Sequence, residues 1–291
     1  HDSIKIKYIK EAAEIDKFTK NINQITEIAR SQHIYSMAEL RALLQTLKDK
    51  GLISQSCTFD LFYKRSLEIG LTEHTIFIGT KDVSKFSFDK EINIYHFAYS
   101  LKKNSFFSMS TSLNLQGYSN YRDNFIFISS ELTKKNINST KLTQESIDEA
   151  FSKPYRRTHF IGKYMDKNIV YLTPKYTKNY AVTQKTWPMS SINRALVEMI
   201  INVQYFRNSL EIIQTFMPLK IKIDTKEVFN IINEFDLIYP YFQCIGYYLE
   251  KIGFTKSELL KFKSKVSELK FYTDKNKDKY KFDNYWNMFY I

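Results

Sequence analysis

The sequence predicts an α+β protein in two parts, and three observations carry that reading. Apolar residues recur at helical spacing up to Gly70. Two short strand patterns joined by a polar turn follow directly. Beyond Asp89, helical and strand patterns interleave, as in a mixed α/β domain. Composition agrees: the 291 residues are 43% hydrophobic and 25% charged, ample for a buried core and unlike a disordered chain.

The elements follow in order. Ile22, Ile25, Ile28 and Ala29 mark a first helix. Ser36 is a predicted N-cap with Glu39 three residues on, a capping box, and Leu40, Leu43, Leu44 and Leu47 line one face of the helix it opens. Gly51 stops that helix. After a short link, Thr58 to Gly70 is amphipathic: Phe59, Phe62, Leu67 and Ile69 alternate with Asp60, Lys64, Arg65 and Glu68. His74–Gly79 and Lys85–Phe88 read as strands around a turn with Lys81 and Asp82. Helix, helix, short turn, helix and hairpin make the winged helix-turn-helix order, predicted over residues 1–88. Three short helices and a hairpin also describe many protein-binding modules.

Residues 89–291 form the predicted second domain. Helices are expected at 92–103, 108–117, 143–151, 191–206, 228–235 and 241–252. Phe125–Ser129 is wholly apolar apart from its last residue and reads as a buried strand. Further strands are expected at 168–173 and 180–183, and the alternation Leu219-Lys-Ile-Lys-Ile-Asp224 predicts a half-exposed one.

Several function classes are disfavoured. With 7 glycines and no GxGxxG or GxxxxGK, the usual phosphate loops are not expected. Cys57 and Cys244 cannot build a disulfide scaffold and read as reduced structural thiols. His1, His33, His74, His96 and His159 have no zinc spacing, and no cofactor or metal is expected. The most apolar stretch, 192–203, is interrupted by Asn193, Arg194, Glu198 and Asn202, so no membrane span is predicted. The start lacks a signal-type apolar run, His1 reads as a non-native remnant, and a cytoplasmic protein is expected.

A net charge of +12 fits a phosphate-bearing partner, although a lysine-rich, AT-rich genome would raise it too. Residues 1–88 carry 13 basic and 11 acidic residues, while the remaining 203 carry 30 and 20. Charge therefore does not by itself single out the N-terminal part. Glu268-Leu-Lys270 has the letters of a metal-dependent nuclease motif, but in a polar, lysine-rich stretch rather than on a buried strand. His159, in Tyr155-Arg-Arg-Thr-His159, fits a phosphate contact or an exposed strand edge. Aromatic residues reach 16%, and the clusters at 239–254 and 285–290 fit core packing better than base stacking.

Within the second part, Phe97–Leu101, Phe106-Phe-Ser-Met-Ser-Thr-Ser-Leu-Asn-Leu-Gln-Gly117, Phe125–Glu131, Ile147–Phe151 with Arg156 and Arg157, and Ser191–Glu198 occur in a distinctive order. Tyr239-Pro-Tyr-Phe-Gln-Cys-Ile-Gly-Tyr-Tyr-Leu-Glu250 is the most specific piece, followed by Gly253-Phe254, Phe271-Tyr272 and Trp286. In these segments the chain resembles the AbiEi family, the antitoxin half of the type IV AbiE toxin–antitoxin and phage abortive-infection systems. Gln116, Phe242 and Asn193 depart from the family's usual residues. The resemblance implies a winged helix-turn-helix that represses the shared promoter by binding inverted repeats. It also implies a C-terminal antitoxin domain acting against an AbiEii-like nucleotidyltransferase toxin, without need of a stable complex.

The combined expectation is a non-enzymatic DNA-binding antitoxin and autorepressor, monomeric in solution and cooperative on double-stranded operator DNA. Gln55, Ser56 and Thr58 would meet base edges or phosphates. Lys64 and Arg65 would face the duplex outward, Arg65 reading guanine or phosphate. Lys81 and Lys85 on the wing, and Lys153, Arg156, Arg157 and Lys163 in the second domain, would add phosphate contacts. The alternatives are a protein-interaction module acting directly on the toxin, and a metal-dependent nuclease.

Overall fold

The computed structural model describes residues 17–118, 124–134, 141–275 and 279–291, and His1 with the segment after it lies outside them. Contacts divide the chain into two units after Lys103, not at Phe88 as the sequence suggested. The first unit contains α1 (Ile22–Arg30), α2 (Met37–Asp49), α3 (Phe59–Glu68), β1 (Thr72–Ile78), β2 (Lys81–Ser87) and α4 (Ile94–Ser100).

Ser36 caps α2 as its sequence requires: Glu39 N–H donates to Ser36 Oγ at 3.2 Å, and Ser36 N–H donates to Glu39 Oε2 at 2.7 Å. Leu40, Leu43, Leu44 and Leu47 are buried against Ile25, Ala29 and Phe62, each burial worth about 1.5–3 kcal/mol. Thr58 Oγ1 caps α3 by accepting from Leu61 N–H at 3.3 Å. The hairpin pairs Thr72 with Ser87 through Ile78 with Lys81. It is tied to the α1–α2 link because Tyr35 and Phe86 exchange two 2.8 Å backbone hydrogen bonds. Helix α4 belongs with this unit for a physical reason: the fully buried Phe97 meets the His74 ring edge-on at 6.4 Å, and His96 lies 4.2 Å from His33.

The second unit is built on a six-stranded mixed sheet. Its strands are β3 (Phe106–Phe107), β4 (Phe125–Ser129), β5 (Ile161–Tyr164), β6 (Lys167–Leu172), β7 (Val182–Gln184) and β8 (Pro188–Ser190), in the order β5-β6-β4-β3-β8-β7. The apolar run Phe125–Ser129 is a central strand, parallel to β6 and antiparallel to β3. Its helices include α5 (Met109–Leu115), α6 (Gln144–Ser152), α7 (Ile192–Ile201), α8 (Ser209–Phe216), α9 (Thr225–Phe235), α10 (Tyr241–Ile252) and α11 (Leu260–Lys263). Strands β9 (Phe271–Tyr272), β10 (Lys281–Asp283) and β11 (Met288–Tyr290) make a small second sheet. Buried residues of α7, α9 and α10 and the ring of Trp286 share one core. Gly246 is fixed by that packing, because a Cβ there would enter the Trp286 ring.

Three sequence expectations are corrected. Leu219–Asp224 is not a strand: Met217–Lys222 is a 3-10 helix with Pro218 in its first turn, and Asp224 caps α9. Leu219 and Ile223 are buried while Ile221, which a strand would place on the same face, is 94% exposed. The expected strand at 180–183 shrinks to Val182–Gln184, because Lys178, Asn179 and Ala181 have left-handed backbones. The long helix expected to Phe206 ends at Ile201 and continues as a 3-10 turn at Val203–Tyr205.

Candidate nucleic-acid interface

Helix α3 follows α2 through a tight link, and its outer face bears Asp60, Lys64, Leu67 and Glu68, all exposed. The face therefore carries two acids and one base, a mixed surface rather than a basic one. Arg41, from α2, places its guanidinium 4.1 Å from the Phe59 ring centre at the start of α3. Sequence reading passed over Arg41, and its spacing of one residue from Leu40 was the available signal that it lies off the buried leucine face.

Arg65 does not face outward as expected. Its guanidinium donates to Thr19 Oγ1 at 3.0 Å and to Glu68 Oε2 at 2.5 Å, lies 5.1 Å from the Phe18 ring, and the side chain is 16% exposed. On a helix, residues 64 and 65 point about 100° apart, so one outward cation leaves its neighbour turned toward the body. Lys64 is exposed, and so are Gln55, Ser56 and Thr58. Of these, Gln55 Nε2 donates to Lys48 O at 2.9 Å, Ser56 Oγ lies 3.0 Å from Ser54 Oγ, and Thr58 is the helix cap. Lys81 is exposed at the hairpin tip, with Phe77 60% exposed beside it in the hairpin. Lys85 is half-buried; burial pulls its ammonium below the usual lysine range, Glu39 opposing and Lys103 adding to the shift.

The second-unit candidates have different surroundings. Lys153 pairs with Glu149 at 2.5 Å. Arg157 donates to Gln204 O through Nε at 3.0 Å and Nη2 at 2.7 Å, which occupies the fork expected to grip phosphate. Arg156 and His159 are exposed, and Lys163 is exposed on β5. Glu268 and Lys270 are exposed in the segment before β9, not on a buried strand.

A network of buried polar side chains organises the second unit's interior. Arg194, fully buried on α7, donates to Glu198 Oε1 at 2.7 Å, Glu131 Oε1 at 2.9 Å, Thr177 Oγ1 at 3.1 Å and Tyr180 O at 2.6 Å. Glu198 Oε2 accepts from Ser190 Oγ at 2.7 Å and from Met109 N–H at 3.2 Å, where Met109 has a left-handed backbone at φ 50°. Ser108 Oγ, at the same strand-to-helix turn, meets Ser129 Oγ at 2.8 Å. Gln116 Nε2 donates to Ser190 O at 3.0 Å. Among the described residues, no group of three or more His, Cys, Asp or Glu side chains is placed to hold a metal ion. No helix among them is long and apolar enough to cross a membrane.

These units define an α+β protein with a helical, hairpin-bearing N-terminal unit and a mixed-sheet C-terminal unit. The fold is similar to the crystal structure of the Rv2827c protein from Mycobacterium tuberculosis, with a TM-score of 0.57 over 94% of this chain and 91% of that one. Sequence identity is 10%, so the likeness speaks to the fold alone. No family model and no curated protein matches the chain.

Proposed function

We propose that the chain is a DNA-binding antitoxin and transcriptional autorepressor of the AbiEi type, its first unit working as a winged helix-turn-helix. The supporting observation is the three-helix order closed by a hairpin that bonds back to the helices through Tyr35 and Phe86. That arrangement leaves α3 supported from behind and open along Asp60, Lys64 and Leu67. Lys64 and Arg41 supply phosphate contacts at α3, and Lys81 supplies one from the hairpin tip. The second unit carries the antitoxin activity against a nucleotidyltransferase-like toxin, and the chain catalyses nothing itself.

The test is a gel shift with the DNA upstream of the gene at two salt concentrations. Lys64→Ala and Arg41→Ala are each expected to weaken binding and to lower the salt slope by about 1. Arg65→Ala is expected to act on stability first, through lost contacts to Thr19 and Glu68. Operator affinity unchanged by both Lys64→Ala and Arg41→Ala would refute this use of α3.

A second reading has its own support. The outer face of α3 has no excess of positive charge, and Leu67 is 51% exposed beside it. Such a face suits a protein partner. On this reading Leu67→Ser and Phe77→Ser weaken association with the toxin encoded beside the gene, and the unaltered protein gives no salt-sensitive gel shift.

A further inference from the structure

A cavity of about 380 Å3 opens in the second unit between α6, the end of α7, the start of α10 and β9. Aromatic rings make much of its wall: Phe151, Tyr155, Tyr239, Tyr241, Phe271 and Tyr272. Phe151 stacks on Tyr272 at 4.9 Å and Tyr239 on Phe271 at 5.6 Å, so the wall is a set of braced rings. The deeper lining residues bear no formal charge, and the buried Asp274, next to Lys275 in sequence, lies outside the lining. Burial pushes the Cys244 thiol and the Tyr241 hydroxyl well up, and both stay protonated at neutral pH.

The mouth has the opposite character, with Lys153, Arg156 and Lys275 all lining it. Lys275 Nζ donates to Lys153 O at 3.1 Å and lies 5.6 Å from the Tyr155 ring centre. Burial pulls its ammonium below the usual lysine range, and Arg156 and Lys153 push it further down. The acidic group at the mouth is Glu149, which engages Lys153; Asp148, nearby on α6, accepts from the Tyr272 hydroxyl at 2.9 Å. Arg156 is exposed and makes no hydrogen bond or ion pair among the described residues.

A neutral, ring-lined interior beneath two cations left over after one ion pair suits a flat heterocycle carrying an anion. The volume lies within the range of small-molecule sites, about 300–1,000 Å3. We infer that this cavity binds a nucleoside monophosphate, its base among the aromatic side chains and its phosphate held by Arg156 and Lys275. Ring contact supplies base affinity with little sequence choice, and the guanidinium fork suits phosphate oxygens. The inference rests on the second unit alone and stands apart from the DNA-binding reading of the first.

The full chain is titrated calorimetrically with AMP, GMP, CMP and UMP, then with the parent nucleosides and with inorganic phosphate. At least one nucleotide is expected to bind with one-to-one stoichiometry, and nucleoside and phosphate at least tenfold more weakly. Arg156→Glu, at an exposed position, is expected to weaken that binding at least tenfold. Lys185→Glu makes a like charge change between β7 and β8, outside the cavity lining, and leaves it unchanged. Thermal melts of both variants confirm that the fold is kept. No saturable binding by any of the four nucleotides at millimolar concentration overturns the inference. So does phosphate binding as tightly as the nucleotide, or equal weakening by Lys185→Glu. A single-stranded oligonucleotide that binds where mononucleotides do not also overturns it, in favour of a strand-binding surface.

Discussion

At Arg194 one side chain organises the interior of the second unit. A guanidinium wholly removed from water is tolerated because two carboxylates, a hydroxyl and a carbonyl accept its hydrogen bonds, with its central carbon 4.8 and 5.1 Å from the Phe106 and Phe235 ring centres. Glu131 lies under opposing influences. Burial raises its carboxyl, but hydrogen bonds from Thr177 and Asn179 and the charge of Arg194 outweigh that and leave it below the usual carboxylate range. Arg194→Met leaves Glu131 and Glu198 buried without the cation that both engage. The expected loss is about 3–5 kcal/mol of unfolding free energy in a urea titration; a loss below about 1 kcal/mol would refute the network's role. The sequence held a signal for this network, an arginine four residues before a glutamate within the apolar stretch 192–203. Its partner Glu131 lies 63 positions away, and only the fold brings the two together.

At the scale of elements, caps were legible and short strands were not. Ser36 caps its helix where the sequence predicts it, and Thr58, read from sequence as the first residue of an amphipathic segment, proves to be the cap of α3. Thr58→Ala is expected to cost about 1 kcal/mol, read as a lower urea midpoint with an unchanged slope. An unchanged midpoint would mean that the Thr58–Leu61 bond does not hold α3. Strands β3 and β8 escaped notice because each is two or three residues long, too short for a period-2 pattern to show, and β8 begins with Pro188. Leu219–Asp224 misled for the converse reason. Its alternation is real, but Pro218 and the Asp224 cap favour a tight turn feeding α9, and Ile221 is left in solvent.

At the scale of the whole molecule, the two units should respond differently to acid. In the first unit, burial lowers the pKa of His74, and burial with the nearby His33 lowers that of His96, Asp89 opposing. A histidine whose folded pKa lies below its unfolded value gives full stability above 6.5, the unperturbed value, and loses it as the pH falls further. In the second unit, the depressed Glu131 contributes fully above its unperturbed 4.5, and that contribution fades as the pH drops through its folded pKa. Both tryptophans, Trp187 and Trp286, belong to the second unit, so their fluorescence follows that unit while far-ultraviolet dichroism follows both. Acid titration is expected to lower the dichroism signal below about pH 6.5 before the tryptophan signal moves. Coincident transitions would show that the histidines do not set the first unit's acid limit.

The sequence by itself determined the α+β class, the capped helices, the central apolar strand and the order of three helices and a hairpin. Each of these depends on residues close in the chain, whose spacing matches the period of the structure they form. Only the tertiary structure decided that Arg65 turns toward Phe18 while Lys64 faces water, that α4 joins the first unit through Phe97, and that Arg194 meets Glu131. It also decided that rings from positions 151 to 272 wall one cavity with Arg156 and Lys275 at its mouth. Those outcomes depend on which buried surfaces meet, and burial alone changes a charge's cost enough to decide whether it faces solvent or a partner.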